Sequence, residues 1–164
     1  MPERGSIVAD SGPLIALALI EHLDLLQQLF GNILVPQAVF REVVLEGVGR
    51  PGAHEIATAQ WVARVDLQPP PDRLLLEELE IGEAEAITLA VRSQASLILL
   101  DERRGRRIAE MAYGLRVRGT IGILIMAKQS GLVSSIRPLL EALRSRGNFI
   151  SSELIDIACQ EAGE

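Results

Sequence analysis

Cysteine is nearly missing from this sequence. Cys159 stands alone, which excludes an internal disulfide framework and a thiolate zinc site. Histidine is almost as scarce, and with only His22 and His54 a His-rich metal site is out of reach. Aromatic residues make up 3% of the chain, so a core has to be built from Leu, Ile, Val and Ala. That composition suits helices stacked on a buried sheet. Lysine occurs once, at Lys128, so the basic charge is almost entirely arginine. No apolar run approaches the ~20 residues of a membrane span. The first apolar run is cut by Asp10, so no charged-then-apolar signal segment opens the chain. No membrane partner is expected, and the expected compartment is the cytoplasm.

What remains is an ordinary globular composition. The 164 residues fit one domain, 1–164, with room for a sizeable core. Apolar residues account for 48% and charged ones for 23%, unlike a disordered chain. The net charge of −6 argues against a protein that simply coats nucleic acid. Its distribution is uneven. Between Arg92 and Arg118, seven arginines face three acids, a local excess of four positive charges in an acidic chain. A solvated helix face with internal ion pairs is the commoner origin of such a run. Arginine is also the side chain whose planar fork suits phosphate.

Short apolar, β-rich runs alternate with stretches of helical period, the pattern of an α/β domain around a parallel sheet. Candidate strands are "SIVAD" (6–10), "NILVP" (32–36), "WVARVDL" (61–67), "SLILL" (96–100) and "LRVRG" (115–119). Helices are expected from near Pro13, Pro36, Pro51, Gly82 and Glu102, and later from about Gly119, Ser134 and Ser151. "QPPPD" (68–72) reads as a loop, too short to divide domains.

The strands at 6–10 and 96–100 are apolar throughout, as strands buried on both faces should be. Each ends in an aspartate, Asp10 or Asp101, and each leads into a helix. In open α/β sheets, ligands bind beyond the carboxyl ends of the strands, where the winding direction reverses. If strands one and four are neighbours at that point, the two carboxylates converge. Taken singly, Asp10 and Asp101 read equally well as caps of the helices that follow them.

Three further acids join the list. Glu42 lies in "VPQAVFREVVLEG", where helical spacing puts Val39, Phe40, Val43 and Val44 on one face and Glu42 on its flank, with water as the default neighbour. Glu83 and Glu85 open the helix in "IGEAEAITLA", where the helix dipole alone favours acids. Two residues apart, they do not share a helix face. A site of three or four carboxylates without histidine suits Mg²⁺ or Mn²⁺ better than zinc. Such carboxylates repel one another without a cation, and with one they form a platform for phosphodiester hydrolysis. Nearby arginines would then meet the rest of the phosphate backbone.

The segments "VADSGPLIALALIEHLDLL", "LVPQAVFREV", "GEAEAITLA", "LILLDERRGRRIAE" and "GTIGILIMAKQSGLV" resemble, in order and over nearly the whole chain, the PIN-domain family, which includes the VapC-type ribonuclease toxins. The nearest likeness is to a PIN subfamily of poorly defined function. The resemblance implies a three-layer α/β/α domain with a central parallel sheet of about five strands, and a Mg²⁺ or Mn²⁺ site at its carboxyl edge. Carried over by position, the family's acids fall on Asp10, Glu42 and Asp101. The third acidic position falls on Glu83, by its spacing from Asp101 and the match at Ala90, with Glu85 the alternative. The toxins usually carry aspartate there, a departure that touches metal preference. Ser11 matches a small hydroxyl residue beside the first aspartate. Thr120 lines the pocket or caps the helix after strand five, and Arg103 and Arg104 are candidates for the substrate backbone. The activity implied is a metal-dependent endoribonuclease acting on RNA, in one form the toxin of a toxin–antitoxin pair, with an antitoxin and a second copy of the chain as partners. The alternative is a PIN-like module that binds nucleic acid or protein without cleaving. An aspartyl-phosphate enzyme is disfavoured, since "DSG" lacks the second carboxylate two residues on.

Overall fold

The sheet is short-stranded and buried, as its apolar runs require. The computed structural model describes residues 5–164, so residues 1–4 of the expected 1–164 domain lie outside the described residues. Five strands, β1 (Ile7–Ala9), β2 (Ile33–Pro36), β3 (Val62–Val65), β4 (Leu97–Leu99) and β5 (Val117–Arg118), sit inside the five expected segments. They pair in the order β3-β2-β1-β4-β5, every pair parallel. β1 and β4 are neighbours, in the register Ile7↔Leu97, Val8↔Ile98, Ala9↔Leu99. The winding reverses between them, which puts the switch point where the sequence expectation required it.

Alternation along the strands feeds two separate cores. Ile7, Ala9, Ile33, Val35, Leu97 and Leu99 point to one face, covered by α1 (Ser11–Leu19), α2 (Asp24–Phe30), α8 (Thr120–Gln129), α9 (Arg137–Ser145) and α10 (Ser152–Glu161). Val8, Ile98 and Leu100 point to the other, covered by α5 (Arg73–Glu78), α6 (Ile81–Arg92) and α7 (Arg103–Tyr113). The result is a three-layer α/β/α architecture. α6 lies against β1 and β2, and Gly82, Ala84, Ala86 and Ala90 are four of its six buried residues, small enough for a close approach to the strands.

Two helices fall outside the expected set. α2 is a separate helix, bent 120° from α1. α5 follows the proline loop directly, started by Asp72, whose Oδ1 accepts from the Leu74 amide at 3.1 Å. Six residues are too few to display a helical period. Segment α3 (Gln37–Phe40) also departs from the regular expectation, because it widens over Arg41–Leu45 into a π-helical turn closed by the Glu46 amide on the Arg41 carbonyl at 2.9 Å. α4 (Ala53–Thr58) completes the set. Among the described residues, no single helix is long and apolar enough to cross a membrane.

Candidate functional site

Asp10 follows the last residue of β1, and its backbone amide donates to the Leu99 carbonyl of β4 at 2.9 Å. It occupies the N-cap position of α1, yet its side chain makes no capping hydrogen bond. The residue is 5% exposed, and its Oδ1 is buried without any partner. A buried carboxylate oxygen left unpaired disfavours the charged form. The Asp10 pKa is accordingly pushed up from 3.8 to about 7, mainly by burial, opposed in part by the Ser11 amide and reinforced by Glu83, Glu42 and Asp101. Three of the other acids singled out in the sequence therefore lie within electrostatic reach of Asp10. Glu83 is pushed up as well, first by burial and then by Glu102, against the pull of the Glu80 backbone.

Asp10 and Ser11 line an open cleft of about 560 Å³ between α3 and α6. Six of its lining side chains are carboxylates and one, Arg41, is basic, so the cleft attracts cations. Gly82 lines it as well. A methyl group there would stand 3.3 Å from Glu42 Oε2 and 3.6 Å from Asp10 Oδ1, so the glycine keeps open the space those two carboxylates share. Glu42 is exposed, as its place on the helix flank suggests, but its π-helical turn directs Oε2 towards Gly82. Glu85 is engaged elsewhere: its Oε2 accepts from the Ala38 amide at 2.7 Å and holds the start of α3. Of the two glutamates in "GEAE", Glu83 is the one that acts on Asp10.

Asp101 does not cap α7. Glu102 does, accepting from the Gly105 amide at 2.8 Å. The register Leu99↔Arg118 brings Asp101 level with Thr120, and its Oδ1 and Oδ2 accept from the Thr120 amide and hydroxyl, both at 2.6 Å. Thr120, buried at 5% exposure, is the first residue of α8, so Asp101 ties the start of that helix to the end of β4. Asp101 opens into a second cleft, of about 660 Å³, together with Arg103, Arg106 and Arg107. Arg104 points away and pairs with Glu78 of α5. Arg106 was not singled out in the sequence. Its guanidinium and Asp101 Oδ1 flank Gly119 so closely that any side chain there would strike both. Glycine at the end of a strand, directly before a threonine, is the local signal that marks such a close approach.

The hard oxygen donors, the unpaired Asp10 Oδ1 and the gap over Gly82 fit a divalent cation in chemistry. Asp10 and Glu42 flank that gap. Among the described residues, however, no three His, Cys, Asp or Glu side chains are gathered closely enough to hold a metal ion as they stand. Asp101, bonded to Thr120, faces the other cleft.

A parallel α/β/α sandwich with acidic side chains at its switch point is an arrangement used by several classes of ligand- and metal-binding domain. The comparison with family models selects among them: a model described as a PIN domain matches residues 6–164, and the chain belongs to the PIN-domain family. Members of that family are typically nucleases that use divalent metals. No curated protein matches the chain at significant similarity.

Proposed function

We propose that this protein is a divalent-metal-dependent endoribonuclease that hydrolyses RNA phosphodiester bonds, with Mg²⁺ or Mn²⁺ as cofactor. The observation that carries the reading is the buried, unpartnered Oδ1 of Asp10 beside Glu42 and Gly82. A carboxylate in that position is costly unless something compensates its charge. Asp10 and Glu42, both bordering the gap over Gly82, would hold the cation, with Asp101 near it on the β4 side. The bound ion supplies charge neutralisation of the phosphate and a lowered pKa for attacking water. Glu83, its pKa already raised by burial, is suited to accept the proton that water gives up. Ser11 lines the cleft beside Asp10, and Thr120 fixes the Asp101 carboxylate in one orientation. Arg103 lies on the Asp101 side, where the substrate backbone needs cations.

Labelled single-stranded RNA tests this, incubated with Mn²⁺, Mg²⁺ or EDTA beside a folded Asp10→Asn control. Metal-dependent cleavage is expected from the native chain, with a loss of at least about a hundredfold in the variant. Undiminished cleavage by Asp10→Asn would falsify the assignment. The physiological form we favour is the toxin of a toxin–antitoxin pair, with an antitoxin and a second copy of the chain as partners. Growth arrest on induction of the native gene, absent with Asp10→Asn, is the matching result in cells.

A second reading is supported by Asp101, whose two oxygens are both taken by Thr120. A PIN-like module that binds nucleic acid or a protein without cleaving would keep such a structural link and need no tight carboxylate cluster. Mn²⁺ titration separates the two: the nuclease binds the ion and loses affinity in Asp10→Asn, whereas the module binds none.

A further inference from the structure

The cleft on the Asp101 side differs in kind from the acidic one. It runs between α7 and the loop joining α9 to α10. Along α7, Gly105 and Ala109 face inwards, while Arg103, Arg107 and Met111 follow one another at intervals of four residues on the open side. Among the described residues, Arg103, Arg106 and Arg107 make no ion pair, as is true of most of the arginines. Opposite them stands Phe149. It is one of three phenylalanines in the chain, and its ring is fully exposed. Three arginines against two carboxylates, Asp101 and Glu110, together with a bare aromatic ring, in a protein of net charge −6, form a surface complementary to a polyanion that carries flat apolar faces.

We propose that this cleft is a nucleotide subsite for single-stranded RNA, in which Phe149 stacks on an unpaired base and Arg103 and Arg107 hold the flanking phosphates. The proposal rests on the nuclease reading and adds to it the direction in which the substrate leaves the acidic cleft. Stacking on an aromatic ring works with any base, because every base has a π-face, and it needs that face free, which a duplex does not offer. The two clefts share no lining residue, but both open at the carboxyl edge of the sheet, where Asp10 follows β1 and lines one and Asp101 follows its neighbour β4 and lines the other. A strand laid along that edge would place a base against Phe149 and, further along, phosphates over the carboxylates. Arg106 and Asp101 lie together beside Gly119 between the two.

The test is the affinity of the full chain for a fluorescein-labelled single-stranded uridine-rich 12-mer, read by anisotropy with Ca²⁺ as the divalent ion. Phe149→Ala should weaken binding about tenfold, with an unchanged melting temperature because the ring is exposed. Phe149→Trp should restore the affinity, and its emission, above the constant Trp61 signal, should be quenched as RNA is added. A blunt RNA duplex should bind Phe149→Ala and the native chain alike. Equal affinity of Phe149→Ala and the native chain for the single strand overturns the subsite, as does an unquenched tryptophan in a saturated complex. Sedimentation of the same variants covers the other occupant: if Phe149→Ala only converts a dimer to a monomer, the ring is a contact between copies and the subsite is wrong. Should the native chain cleave RNA while Phe149→Ala behaves identically, the subsite alone falls. If the native chain neither binds nor cleaves any RNA, the nuclease reading falls with it.

Discussion

Asp10 couples the chemistry of the site to the stability of the fold. With a folded-state pKa near 7 against an ordinary 3.8, the native protein holds a proton between those values that the unfolded chain has released. Its contribution to stability is complete below about pH 4 and is lost as the pH rises through 7. In EDTA, the melting temperature of the native chain should therefore fall by about 5–10 °C relative to Asp10→Asn between pH 5 and pH 8. A gain relative to the variant over that interval would mean that Asp10 is paired in the fold. Gly82 gives a second expectation. Alanine in a helix is ordinarily favoured over glycine by about 0.5–1 kcal/mol, and the added methyl would fill the gap between Asp10 and Glu42. Gly82→Ala should keep or raise thermal stability while Mn²⁺ affinity, measured by calorimetry, drops about tenfold or more.

Elements decide which residues the sequence made legible. Asp10 and Asp101 could be read as a converging pair because each closes a continuous apolar run, and runs of that kind are central strands. The choice of Glu83 over Glu85 comes only from its spacing to Asp101 and the match at Ala90, because the residues alone do not say how α6 is rotated as its alanines settle against β1 and β2. Glu42 was misleading for another reason. A period of 3.6 assigns it to the flank, but the π-helical turn over Arg41–Leu45 gives Oε2 a different direction. The bond from Asp101 to Thr120 was hidden too, because it depends on the β4–β5 register across nineteen positions. That turn can be probed directly. A side chain on Gly47 would collide with the Val43 carbonyl oxygen, which is backbone and cannot swing away. Gly47→Ala should cost about 1–3 kcal/mol in urea unfolding and reduce cleavage along with it. Unaltered activity would show that the turn does not position Glu42.

At the scale of the whole molecule, the sheet separates two cores that do not share side chains. Ile123 of α8 belongs to one and Ile87 of α6 to the other, and both are fully buried. Ile123→Val and Ile87→Val should each cost about 1 kcal/mol, and the double variant should show their sum to within about 0.5 kcal/mol. A larger coupling would mean that strain passes through the sheet, with the carboxyl edge as its natural outlet.

That edge has a consequence of its own for encounter in solution. Its α3–α6 side carries the carboxylates and its α7 side the unpaired arginines, so across the β1–β4 boundary it forms an electric dipole. Within a screening distance of about 8 Å at physiological salt, an approaching polyanion feels a torque before it touches any surface. If RNA is the substrate, it would be turned to arrive arginine-first, with its heading over the carboxylates set before docking begins. The order of contact is thus a matter of long-range field, and fit governs only the last few ångströms.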